Sequence, residues 1–103
     1  MTYSVCLSLQ AELDLHGIFS FIAQASDDLQ TASAWLDGME ARILGLEILP
    51  RRYRLYEEGT SRSRGLRRMP VGRYNVFYSI DEEEKRVTVV RILFAGMDAA
   101  NRL

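Results

Sequence analysis

From Ala11 to Leu49 the apolar residues recur at helical spacing, and from residue 73 onward they alternate; this change of period on either side of Pro50 fixes most of what the chain can fold into. Ala32, Leu36, Met39, Ile43 and Leu46 step by 4, 3, 4 and 3, flanked by Trp35 and Leu49. The spacing predicts a helix with one buried face. Pro50 closes it, because the residue before a proline is pushed out of the helical region. An earlier stripe of Ala11, Leu15, Ile18 and Ile22, widened by Phe19 and Phe21, predicts a preceding helix. Gly17 lies inside that stripe and costs about 1 kcal/mol relative to alanine, too little to break the helix. Ser26-Asp27-Asp28 reads as a turn that supplies the N-cap of the second helix, giving a helical hairpin.

Strand signals flank the hairpin. Tyr3, Val5, Leu7 and Leu9 alternate with Ser4, Cys6 and Ser8, the period of a half-buried strand. Residues 51–64, with Tyr53, Tyr56 and the Glu57-Glu58-Gly59-Thr60-Ser61 run, read mostly as loop. Residues 65–69 read as a strand closed by a Pro70-Val71-Gly72 turn. Residues 73–80 are rich in aromatic and β-branched side chains and read as a strand, 81–84 as an acidic hairpin loop and 87–94 as the last long strand, broken by Ala95-Gly96. The order predicts an α+β fold: an N-terminal strand, a helical hairpin, then a three-stranded antiparallel meander, all strands forming one sheet. At 103 residues a single domain over 1–103 is expected, large enough for a core without disulfide or metal staples.

The alternation also assigns sheet faces. Tyr74, Val76, Tyr78 and Ile80 oppose Asn75, Phe77 and Ser79, while Val87, Val89 and Leu93 oppose Val90, Ile92 and Phe94. Both faces carry large apolar groups, yet the hairpin can cover only one. A partner chain is the expected cover for the other.

A net charge of −1 conceals strong segregation. Residues 1–50 carry seven acids against Arg42 alone; residues 51–73 carry eight arginines (51, 52, 54, 62, 64, 67, 68 and 73) against Glu57 and Glu58. Lys85 is the only lysine among 13 basic residues. A planar guanidinium fork matches phosphate or carboxylate, so this middle segment points to anion contact. Tyr53, Tyr56, Tyr74 and Tyr78 interleave with the arginines, a mixture that suits RNA backbones and unstacked bases or an acidic protein helix with apolar anchors.

Other chemistries lack their residues. With one cysteine, Cys6, and one histidine, His16, a structural zinc site has too few ligands, and no cofactor is expected. No nucleophile elbow, cysteine-protease signature or phosphate-binding glycine motif occurs. Asp27-Asp28 reads as capping and 81–84 as a solvated tip. The N-terminus has no secretory pattern, and no apolar run approaches the roughly 20 residues that span a bilayer, so a cytoplasmic protein is expected. Metal-free RNA cleavage needs a proton acceptor, cations for the phosphate and a proton for the leaving oxygen. Arg67, Arg68, Tyr74 and Tyr78 can supply cations and a phenol, without an evident His, Glu or Lys base.

Several segments together resemble the RelE/ParE superfamily of bacterial toxins: Asp14-Leu15-x-x-Ile18-Phe19-x-Phe21-Ile22-Ala23, Leu49-Pro50 at a helix end, Gly65-Leu66-Arg67-x-Met69-Pro70-Val71, Tyr74-x-Val76-Phe77-Tyr78 and Val87-Thr88-Val89-x-Arg91-Ile92. The resemblance covers nearly the whole chain. It implies a toxin of a type II toxin–antitoxin system, plasmid stabilisation among its associations, neutralised by a cognate antitoxin whose C-terminal segment wraps it in a hetero-oligomer. RelE-like members cleave mRNA in the ribosome as metal-independent endoribonucleases (mRNA interferases), and ParE-like members inhibit DNA gyrase. An attenuated module that mainly binds antitoxin is the alternative. The resemblance makes Arg67 the expected phosphate contact; with the Tyr78 phenol it forms the expected catalytic pair. Arg51, Arg52, Arg54, Arg68, Arg73, Tyr74, Arg91 and Asp98 form the expected RNA- or target-binding set. Met97 stands where relatives commonly carry an arginine, which weighs against RNA cleavage.

Overall fold

The computed structural model describes residues 2–57 and 65–103; the expected loop residues 58–64, with Arg62 and Arg64, lie outside the described residues. Strand β1 (Ser4–Leu7) leads into helices α1 (Leu9–Ser26) and α2 (Leu29–Leu44), followed by strands β2 (Arg67–Val71), β3 (Tyr74–Asp81) and β4 (Arg86–Phe94). The sheet order is β1-β4-β3-β2, with β1 parallel to β4 and the other pairs antiparallel. This is the α+β arrangement that the sequence predicts.

Local chemistry sets the boundaries. The Ser8 side chain accepts a hydrogen bond from the Ala11 amide at 3.1 Å and so starts α1. Leu9 therefore begins a helix and does not extend the strand. Asp27 takes a left-handed conformation at φ 53°, and Asp28 caps α2 by accepting from the Gln30 amide and the Thr31 hydroxyl. Helix α2 stops at Leu44, short of Pro50, and a 3-10 turn (Gly45–Glu47) keeps Leu46 on the buried line. Leu49, at φ 50°, then turns the chain into a second 3-10 turn (Pro50–Arg52).

Two expectations for the strands need correction. Pro70 and Val71 belong to β2, and the turn is Gly72-Arg73, with Gly72 at φ 58°. Proline is tolerated there because β2 is the last strand in the sheet order, where an outward-facing position needs no amide. On β4, Tyr78 pairs with Val89 but Phe77 pairs with Arg91, leaving Val90 as an extra residue. This bulge shifts the alternation by one. Ile92 thereby joins Val87 and Val89 beneath the helices, and Leu93 turns to the opposite face, the reverse of the strict alternation.

The main core lies between helices and sheet. Ala11, Met39, Ile43 and Leu46 meet Met69, Val76, Tyr78, Val87, Val89 and Ile92. Each large apolar side chain buried there contributes about 1.5–3 kcal/mol before the opposing chain entropy. The other face has its own small core of Leu66, Phe77 and Leu93, packed by Tyr56, Val90, Ala99 and Leu103. The partner expected over that face is thus partly replaced by the chain's own ends of segments, which fold back across the sheet.

One polar staple crosses the layers. Strand β1 stops opposite Val89, so among the described residues the edge of β4 beyond it has no strand partner on that side. Asp14 of α1 fills the gap: its carboxylate accepts from the Ile92 amide (2.9 Å) and from Arg91 Nε (2.8 Å) and Nη2 (3.1 Å). Both side chains are largely buried, so the pair is worth more than a solvated ion pair only because both carboxylate oxygens are engaged, by three donors in all.

Candidate functional site

Adjacent residues of β2 send their side chains to opposite faces, which separates the two arginines at its start. Arg67 points toward the helices, where Nη1 donates to the carbonyls of Tyr53 (2.6 Å) and Arg51 (3.2 Å). Arg68 is exposed on the other face. Alongside β2 runs the segment Arg54-Leu55-Tyr56: the Arg68 amide donates to Arg54 O at 3.1 Å, and the Tyr56 amide to Leu66 O at 2.7 Å. This pairing sets Arg54 and Tyr56 beside Arg68.

Those three residues share a cleft of about 390 Å³ with Arg52, Tyr53 and Pro70. Tyr56 and Arg68 also line a second cleft of about 350 Å³, whose floor includes Asn75 and Phe77 and whose opposite wall is Phe94 to Ala100, Asp98 included. The two clefts form one basic, aromatic groove. Tyr56 is fixed edge-on against Phe77, with ring centres 5.2 Å apart. Gly96 shapes the rim, because a Cβ there would meet the Phe94 ring at 2.8 Å.

Of the expected site residues, the groove gathers Arg52, Arg54, Arg68 and Asp98. Arg52 is partly committed: it donates to the carbonyls of Ile48 and Leu49 and stacks over Tyr53. Arg51 lies elsewhere, paired with Glu82 at 2.9 Å. The Tyr3 hydroxyl, ahead of Lys85 and Arg51, holds the Glu82 carboxyl below its usual range. Arg73 sits in the β2–β3 turn, and Tyr74 faces the helices between Trp35 and Phe94. Arg91 is held by Asp14.

Tyr78 stands apart from the groove. It is fully buried, and its hydroxyl donates to the Pro50 carbonyl at 2.5 Å. Burial pushes its pKa up to about 12. Tyr78 lies on the opposite sheet face from Arg68. Tyr53 is the phenol whose pKa falls, chiefly through a hydrogen bond from Arg42, but that bond turns its hydroxyl toward α2. His16 lies on the helical side, in a separate groove of about 510 Å³ with Val5, Leu7, Leu15 and Ile43. Among the described residues no group of His, Cys, Asp and Glu could hold a metal ion. Asn75 and Phe94 were missing from the expected set; the alternation along β3 carried the signal for Asn75, since it shares a face with Phe77.

Residues 5–99 match the family described as the ParE toxin of the type II toxin–antitoxin system parDE. The chain belongs to the ParE toxin family. It is therefore a toxin of a type II toxin–antitoxin system. Its fold resembles that in the chromosomal ParDE system from P. aeruginosa, with a TM-score of 0.72 at 14% identity, covering 90% of this chain and 96% of that one. It also resembles a chain of the RelBE2 toxin–antitoxin complex from Mycobacterium tuberculosis (TM-score 0.62, 23% identity, 91% and 92% covered). A third likeness is to the archaeal RelE–RelB complex from Pyrococcus horikoshii (TM-score 0.54, 22% identity, 93% and 98% covered). A search of curated proteins returns no match. No helix among the described residues of this ParE-family chain is long and apolar enough to cross a membrane.

Proposed function

We propose that this ParE-family toxin arrests growth by docking its basic groove on DNA gyrase, without cutting RNA, and that a cognate antitoxin neutralises it. One observation carries the reading. The groove presents Arg54 and Arg68 around Tyr56, whereas Arg67 Nη1 and the Tyr78 hydroxyl donate to backbone carbonyls on the other side of the sheet. Among the described residues the groove thus has cations and an aromatic plane for binding, with Glu57 and Asp98 as its carboxylates and no histidine or lysine beside them. Met97 on its wall adds no charge where an arginine would serve a phosphate. The antitoxin is supported by the relatives, which are toxin–antitoxin complexes. The apolar groove between β1, α1 and α2 suits the anchors of such a segment.

The test pairs an assay on the purified protein with one on induced cells. Plasmid supercoiling by DNA gyrase should fall with wild-type protein and persist with Arg54→Ala/Arg68→Ala. Primer extension on mRNA from induced cells should show no new 5′ ends. New ends at codon boundaries, with supercoiling untouched, would replace gyrase by the ribosome as target.

A further inference from the structure

The wall of the groove opposite Arg68 is built from residues 97–100, held locally by the Met97 amide on Phe94 O at 3.0 Å and by Asn101 on the Asp98 carboxylate. Two further contacts tie it to the rest of the molecule. Leu103 and Ala99 pack onto the small core of Leu66, Phe77 and Leu93. The Arg102 carbonyl accepts from Arg91 Nη1 at 2.8 Å, and the amides of Arg102 and Leu103 both close on Ala99 O at 3.0 Å. Arg91 is itself oriented by Asp14, which takes its Nε and Nη2. A single guanidinium therefore connects helix α1 to the segment 99–103 through three directed donors.

We infer that Asp14 and Arg91 are positioning residues that latch the 97–103 wall against the groove, so that target binding depends on a contact made from the helical side of the sheet. The inference rests on the groove being the target-binding surface. Only an arginine can work the latch: its planar fork keeps both carboxylate bonds while the third nitrogen reaches the Arg102 carbonyl. Lysine retains the charge beside Asp14 but, as a compact point charge, cannot span both partners. With the latch open, Leu103 and Ala99 lose half their restraint, and Asp98 and Met97 no longer stand at a fixed distance from Arg68 and Tyr56.

The experiment compares Arg91→Lys, Leu103→Ser and Leu103→Met in the full chain, with Arg68→Ala as reference, reading the inducer level that gives half-maximal growth arrest. Arg91→Lys and Leu103→Ser should each raise that level about tenfold, the scale of losing 1.4 kcal/mol of binding. Amide exchange at Arg102 and Leu103 should quicken in both, with the melting temperature little changed in Leu103→Ser, and Leu103→Met should restore arrest. Leu103→Ser, which leaves the Asp14–Arg91 ion pair itself unaltered, carries the test even where Arg91→Lys fails to fold. If both variants arrest growth like wild type while Arg68→Ala abolishes arrest, the latch is wrong and the groove reading stands. If Arg68→Ala arrests growth normally, the groove reading falls and the latch falls with it.

Discussion

Tyr78→Phe tests whether a phenol in the core holds the sheet to the Pro50 turn or serves chemistry. At pH 7 the wild-type hydroxyl donates to the Pro50 carbonyl in a fully buried site. Phenylalanine fills nearly the same volume but strands that carbonyl, so stability should drop by about 1–2 kcal/mol. The pH dependence carries the sharper signature. The Tyr78 pKa is raised from 10.0 to about 12, so the folded state favours the neutral phenol. Its contribution is complete below pH 10 and is lost as pH rises from 10 through about 12, at about 1.4 kcal/mol per pH step. The phenylalanine variant has nothing to lose there. The stability curves of the two proteins should therefore converge above pH 10 and cross near pH 11, since a loss of about 1.4 kcal/mol by then offsets the hydrogen bond. Urea unfolding followed by the single tryptophan, Trp35, measures this directly. Curves that stay parallel from pH 8 to 12 would refute the assignment. Growth arrest by Tyr78→Phe should match wild type at equal folded protein, whereas loss of arrest without loss of stability would return Tyr78 to the functional set.

Two further expectations concern the helices. Gly17→Ala and Gly38→Ala replace exposed mid-helix glycines at which a Cβ would meet nothing within 4 Å, and each should add about 0.5–1 kcal/mol in urea unfolding. Asp28→Ala removes the α2 cap. Because the Thr31 hydroxyl and then the Gln30 amide hold the Asp28 carboxyl below 3.8, its stabilisation is present above that pH and disappears as pH falls through the lowered value. Helicity at 222 nm should accordingly be lower than wild type at pH 7 and equal to it once the carboxyl is protonated.

The elements were legible because each rests on short-range chemistry: the Ala32–Leu46 stripe, the Asp28 cap and the alternation over residues 74–80 all act within a few residues. The bulge at Val90 was not, since an extra residue shows only when β4 is laid against β3. It was enough to exchange the faces of Ile92 and Leu93. The groove was half legible. Composition marked the arginines, but which of them remain available depends on carbonyls that other segments bring: Tyr53 O removes Arg67, Ile48 O engages Arg52, and Glu82 takes Arg51. Guanidinium chemistry identifies a possible ligand-binder, and only the tertiary structure tells whether its ligand is the protein's own backbone.

The parallel pairing of β1 with β4 also sets a timetable for synthesis. Cys6 and Thr88 stand side by side although 82 residues separate them. At 5–20 residues per second, roughly 4–16 s pass between the synthesis of β1 and that of its partner. For that interval the first strand has no sheet to join, and the Asp14 carboxylate waits without Arg91 or Ile92. A chain interrupted before β4 closes neither the core nor the groove. The sheet, and with it the groove floored by β3, is completed only once β4 has been made.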